Sequence, residues 1–199
     1  MELWVATGNQ GKLNEFKMLF HRFLGDSPLD LHHQKELPVF TAPVENGDSF
    51  LANARIKARS LRSVRSDQWV IGEDSGLVVD GLGGLPGIHS ARYAGPKASD
   101  AENTAKLLKM MAIRHVTNRN AKFVSCIVAY SPTGQEFVFE GELAGTISTA
   151  QRGTSGFGYD SVFVPSGESK TLAELGIAHK NKISHRAKAV EQLCSSQFK

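Results

Sequence analysis

The amino terminus constrains the fold most. A short apolar run, Leu3-Trp4-Val5-Ala6, gives way to the turn-forming stretch Thr7-Gly8-Asn9-Gln10-Gly11-Lys12. Leu13, Phe16, Phe20 and Phe23 then recur at helical spacing. A continuous apolar run of four residues suits a buried strand, and a 3.6-residue period suits a helix with one face in the core. A strand feeding directly into such a helix is the start of an α/β layer. The rest of the chain repeats the theme. Asp48 or Ser49 can cap a second helix with Phe50, Ala54, Ala58 and Leu61 on one stripe, while Arg55, Arg59 and Arg62 fall on a face expected to be solvated. Trp69-Val70-Ile71 reads as a buried strand followed at once by Glu73-Asp74-Ser75-Gly76. Ser99 and Glu102 form a capping-box pattern ahead of Leu107, Leu108 and Met111. Phe123–Tyr130 and Gln135–Glu140, separated by the turn Ser131-Pro132-Thr133-Gly134, read as a hairpin that Leu143–Ile147 extends. Asp26–Pro43 reads as irregular, with room for a short strand. Val162-Phe163-Val164 is a last strand, and a helix from about Ser184 carries Ala187, Val190 and Leu193. The expected fold is α/β: a mixed sheet flanked by helices.

With 199 residues, 41% of them hydrophobic, one such domain spanning 1–199 can bury its core without disulfides or a structural metal. Cys126 lies in a strand pattern and Cys194 in a helical one, with no metal-ligand spacing, so both read as buried thiols. No basic leader precedes Leu3 and no apolar run reaches the length of a membrane span, so a cytoplasmic protein without a membrane partner is expected. The net charge of +3 weakly favours an anionic partner without saying which.

Four features carry chemistry. The Thr7–Lys12 loop delivers free backbone N–H groups and Lys12 to a helix N-terminus, a seat for phosphate oxygens. It is not a P-loop, because Leu13 stands where Ser or Thr is needed, and an ordinary βα turn would look the same. Glu73 and Asp74 suit a hard cation such as Mg²⁺, which takes one or two carboxylates plus substrate phosphates. Strand alternation would point them to opposite sides, and Glu45 could supply a further ligand. Lys180, His185 and Arg186 form a basic cluster near the start of the last helix, unfavourable against the helix dipole unless an anion or an electron-rich base binds there. Phe157 and Tyr159, in a loop with Gly153, Gly156, Gly158 and Asp160, could stack on a base or simply plug the core. The combination suits a nucleoside triphosphate.

The segments TGNQGKLNEF (Thr7–Phe16), EDSGLVVDGLGGLPGIHSARYAG (Glu73–Gly95), GFGYDSVF (Gly156–Phe163) and KNKISHRAKA (Lys180–Ala189) resemble the inosine triphosphate pyrophosphatase family, in the family's order. The resemblance implies an elongated mixed β-sheet flanked by helices, two lobes with a substrate cleft between them, and a homodimer. It implies Mg²⁺-dependent hydrolysis of ITP, dITP and XTP to the monophosphate and pyrophosphate, with no nucleic-acid partner. By position, Thr7, Gly8, Asn9, Gln10, Gly11 and Lys12 would hold the triphosphate. Asp74 would be the catalytic carboxylate and a Mg²⁺ ligand, with Glu45 the second ligand. Ser75, Phe157, Gly158, Tyr159, Asp160, Lys180, His185 and Arg186 would contact substrate. From its chemistry as a donor-only side chain, Arg186 is the candidate to read the purine C6 oxygen. Glu73 stands where bacterial members usually carry a second Asp, His89 where Tyr is common and Ser161 where Pro is common. The competing readings are a phosphohydrolase acting on other nucleotides and a non-catalytic nucleotide- or RNA-binding module.

Overall fold

The computed structural model describes residues 1–25 and 29–198. Residues 26–28 of the expected irregular stretch therefore lie outside the described residues. The chain runs β1 (Glu2–Ala6), α1 (Gln10–Leu24), β2 (Asp30–His33), α2 (Phe50–Arg62), β3 (Trp69–Val79), α3 (Asp100–Ile113), β4 (Asn120–Tyr130), β5 (Glu136–Ile147), β6 (Phe163–Pro165), α4 (Leu172–Leu175), α5 (Ile177–Ile183) and α6 (His185–Gln197). The six strands form one sheet in the order β2-β1-β3-β4-β5-β6. β1 runs parallel to β2 and β3, and β6 runs antiparallel to β5. The expected mixed α/β sheet is present. Among the described residues, no helix is long and apolar enough to cross a membrane.

The chain resolves into two compact units, each assembled from separate segments. The first comprises Met1–Asp74, Ser125–Gly141 and Arg186–Lys199. Its strands alternate cleanly. Leu3, Val5, Ile71, Ile127 and Ala129 face a core shared with Phe16, Leu19 and Phe20 of α1 and Ala187, Val190 and Leu193 of α6. The intervening residues point the other way: Trp4, Ala6 and Val70 pack with Leu61 of α2, and Cys126, Val128 and Tyr130 with Ala54 and Ala58. Period-two side chains on strands and single-stripe helices make this the natural packing. A fully buried Leu or Phe contributes about 1.5–3 kcal/mol relative to exposure. α2 lies directly on β3, because a Cβ at Gly72 would come within 2.3 Å of the Ala54 carbonyl oxygen. Only glycine permits that approach.

The second unit comprises Ser75–Val124 and Glu142–His185. Leu77 and Val79 of β3, Leu107 and Met111 of α3, Phe123, Leu143 and Ile147 pack there with Tyr159, Val162, Phe163 and Leu172. α3 opens as expected: the Ser99 hydroxyl accepts from the Glu102 amide, and the Glu102 carboxylate accepts from the Ser99 N–H in return.

Three details depart from expectation. β3 does not stop before Glu73 but runs on to Val79, so Glu73 and Asp74 sit mid-strand rather than on a turn. Both are at most 5% exposed. The short helices α4 and α5 carried no periodic signal of their own, and Lys180 belongs to α5 rather than to the start of α6. The arginine face of α2 is only partly solvated. Arg55 pairs with Glu136 at 2.8 Å, Arg59 donates to the Tyr130 hydroxyl at 3.0 Å, and Arg62 lies over the Tyr130 ring.

Candidate active site

In the first unit, the Thr7–Lys12 loop joins β1 to α1. The Thr7 hydroxyl accepts from the Asn9 N–H at 3.2 Å, and the Asn9 side chain caps the helix by accepting from the Lys12 N–H at 3.0 Å. This local bonding holds the loop while Gln10 and Gly11, the first helical residues, present N–H groups that a helix cannot bond internally. Gly8, Asn9 and Gln10 are exposed, so the helix entrance is open to an anion.

Within β3, the adjacent carboxylates of Glu73 and Asp74 split to opposite faces of the sheet, as strand alternation requires. Glu73 faces α1 and α6. Its Oε1 accepts from Arg186 at 2.8 and 3.2 Å and from the Ser125 hydroxyl at 3.0 Å, and its Oε2 accepts from Lys12 Nζ at 2.9 Å. Arg186 also pairs with Glu15 of α1. Burial pushes the Glu73 carboxyl up, but Arg186 and Lys12 outweigh it and hold the group well below the usual carboxylate range. Glu73 is thus an anchor that aims Lys12 and Arg186.

Asp74 faces α2. Its Oδ1 accepts from Lys57 Nζ at 2.7 Å, and its Oδ2 lies 3.4 Å from Asn53 Nδ2. The same Lys57 ammonium pairs with Glu45 at 2.9 Å. Asn53 accepts in turn from the Gly47 N–H at 2.9 Å, which ties the loop bearing Glu45 to α2. Burial raises the Asp74 carboxyl despite the opposing Lys57 charge. Burial alone would lower Lys57, but Asp74 and Glu45 together hold it raised, so it stays an ammonium. Burial sets the direction for Asp74, and the two carboxylates set it for Lys57. Among the described residues, no three His, Cys, Asp or Glu side chains form a metal cage. The donor set present, two oxygens of Glu45 and Asp74 converging on one positive charge, fits a hard divalent ion completed by phosphate oxygens.

Arg186 is placed otherwise than as an open base-reading donor. It is 1% exposed, and its guanidinium lies against the Glu15 and Glu73 carboxylates. Three further residues of this cluster, Lys57, Asn53 and Glu15, were not anticipated. A signal for the first two existed: they stand four apart on α2, beside the Ala54–Ala58 stripe, where a helix places them on one side.

In the second unit, Phe157 is half-buried and Lys180 Nζ stands 4.3 Å from its ring centroid, a cation–π geometry. Asp160 Oδ2 accepts from Lys180 Nζ at 2.6 Å and from the Phe157 N–H at 3.0 Å, with both charged groups buried. Gly156 is obligatory here, because its φ is +83° and a Cβ would meet Asp160 Oδ2 at 2.1 Å. Tyr159 resolves as a core plug: 3% exposed, its hydroxyl donating to the Ser90 carbonyl at 2.8 Å. His185 stacks on Phe123 with ring centroids 4.8 Å apart. Ser75 is half-buried in β3. The structure therefore gathers Lys12, Glu45 and Asp74 around charged clusters of the first unit, and Phe157, Asp160 and Lys180 into one cluster of the second.

The Ham1 family model matches residues 3–196. A dITP/XTP pyrophosphatase of Bdellovibrio bacteriovorus is 58% identical over 191 residues, covering 96% of this chain and 94% of that protein. A dITP/XTP pyrophosphatase of Streptococcus agalactiae is 42% identical over 190 residues, 95% of this chain; the chain spans 57% of that protein's length. Among solved structures, a HAM1 protein from Coxiella burnetii superimposes with a TM-score of 0.86 at 34% identity, covering 98% of this chain and 97% of that one.

Proposed function

The chain belongs to the Ham1 family, and on that premise we propose that it hydrolyses dITP, ITP and XTP to the nucleoside monophosphate and pyrophosphate in a Mg²⁺-dependent reaction. The observation that carries the chemistry is the buried Asp74, raised by its surroundings, beside Lys57 and Glu45. A carboxylate whose proton affinity is raised by burial is better matched to accept a proton near neutral pH.

In this reading a water oxygen attacks the α-phosphorus, its proton passes to Asp74 Oδ1 or Oδ2, and the bond from the α-phosphorus to the bridging oxygen breaks with pyrophosphate leaving. Mg²⁺ held by Asp74 and Glu45 would offset charge on the phosphate oxygens when bound. Lys12 and the N–H groups of Gln10 and Gly11 grip the triphosphate. Lys57 keeps Asp74 and Glu45 at a fixed separation and adds positive charge beside them. Phe157 offers a face for the purine ring, braced by Lys180. A homodimer acting in the cytoplasm completes the proposal.

The test is product analysis with dITP, ITP, XTP and the four ordinary triphosphates, each with Mg²⁺ and with excess chelator. Pyrophosphate release confined to the first three and abolished by chelation supports the proposal. Orthophosphate as the primary product, or binding without turnover, overturns it. Gel filtration with light scattering checks the dimer.

A further inference from the structure

The loop that carries Phe157 is held from outside by a helix with no other part in the site. Asp100 and Thr104 stand one turn apart on α3, at positions i and i+4, which places them on the same face. Asp100 Oδ2 accepts from the Gly158 N–H at 2.7 Å, and the Thr104 hydroxyl donates to the Gly158 carbonyl at 3.3 Å. One residue thus has both its backbone polar groups taken by α3. Gly158 has φ of +62°, so the peptide next to Phe157 is set in a left-handed conformation that only these bonds and its neighbours fix. Thr104 is 1% exposed, which leaves its hydroxyl little freedom to rotate away. Asp100 lies in the first turn of α3, where its negative charge is favourable against the helix dipole whether or not the loop is present. The loop has further anchors: the Asp160 carboxylate orients the Phe157 N–H and Lys180, the Tyr159 hydroxyl donates to the Ser90 carbonyl, and the Asp160 carbonyl accepts from the Ala173 N–H.

We propose that Asp100 and Thr104 are positioning residues for base recognition: they clip Gly158 and so set the plane of the Phe157 ring against which the purine stacks. The inference rests on the base-stacking role assigned to Phe157. It assigns α3 a part in substrate affinity and none in the chemical step, because both bonds of the clip end on the Gly158 backbone.

The experiment compares Asp100→Ala, Asp100→Asn, Thr104→Val, Thr104→Ser and Phe157→Ala by steady-state kinetics with ITP. Inhibition by inorganic tripolyphosphate, which has phosphates but no base, is measured in parallel. Asp100→Ala and Thr104→Val are expected to raise KM for ITP by about tenfold, the scale of one lost hydrogen bond to a charged or buried partner. They should leave kcat within about twofold and tripolyphosphate inhibition unchanged. Asp100→Asn and Thr104→Ser keep an acceptor and a donor at the same places and should behave as wild type. If Phe157→Ala raises KM while Asp100→Ala and Thr104→Val do not, the clip is idle and the inference fails, although the stacking role stands. If Phe157→Ala leaves KM for ITP unchanged, the stacking role fails and the inference with it. A uniform fall in kcat, ITP affinity and tripolyphosphate affinity would mark α3 as a general stability element and also overturn the proposal.

Discussion

Arg186 offers the sharpest test of how the site is held, since its guanidinium is 1% exposed between carboxylates that are 1% and 6% exposed. Truncation to alanine would remove the cation and leave the Glu73 carboxylate bonded to Lys12 and Ser125. Breaking a buried pair from one side costs about 3–5 kcal/mol, because the remaining charge stays desolvated. For a chain of this size each kcal/mol lowers Tm by about 2–4 °C, so the expected fall for Arg186→Ala is roughly 6–20 °C. Arg186→Lys keeps the charge but not the planar fork that reaches both carboxylates, and should fall between wild type and alanine. Thermal unfolding followed by circular dichroism gives the values. A double-mutant cycle with Glu15→Gln should show non-additivity of about 0.5–3 kcal/mol, as expected for residues in one network. In the surviving folded fraction, kcat/KM for ITP and for ATP should drop by the same factor. A Tm within about 2 °C of wild type, with additive effects in the cycle, would refute the role as counter-ion. Selective loss of ITP activity would instead return Arg186 to reading the base.

Three further outcomes are expected. Asp74→Asn should keep the fold and lower kcat by about 10²–10⁴-fold, the usual cost of losing a general base; a folded variant with near-wild-type kcat removes Asp74 from the mechanism. Lys12→Ala should raise KM for triphosphates by about tenfold or more, as befits a charged hydrogen bond to phosphate, and an altered base preference with unchanged KM would place the loop at the wrong end of the substrate. The third concerns pH: the hydrogen bond to Glu36, 2.7 Å from its ring, raises His32 above 6.5. A raised histidine contributes stability that is full below the unfolded value and lost as pH rises through the folded one. Wild type should therefore exceed Glu36→Gln by up to about 1 kcal/mol near pH 5.5–6, shrinking above pH 7 in urea melts, and a gap that grows with pH would reverse the assignment.

Much of the protein was legible in the chain because the relevant physics is short-range. The Ser49 cap and the Ser99–Glu102 box are bonds between residues three apart, and the stripes of α1, α2 and α6 follow from the helical period alone. The opposed directions of Glu73 and Asp74 followed from strand alternation, even though the strand proved longer than expected. The charges that decide the site's electrostatics did not follow. Lys12 reaches Glu73 across 61 positions, Arg186 reaches it across 113, and Arg186 meets Glu15 across 171. Those meetings depend on the sheet order β2-β1-β3-β4-β5-β6, which lays the first and last helices over the same face of β3. Lys57 and Asn53 similarly gain their importance only because Gly72 lets α2 settle against β3 beside Asp74. Residue type and spacing determine which groups can carry a charge or cap a helix. Which opposite charge each one meets is decided by long-range packing, since a buried ion must find its partner wherever the sheet brings one near.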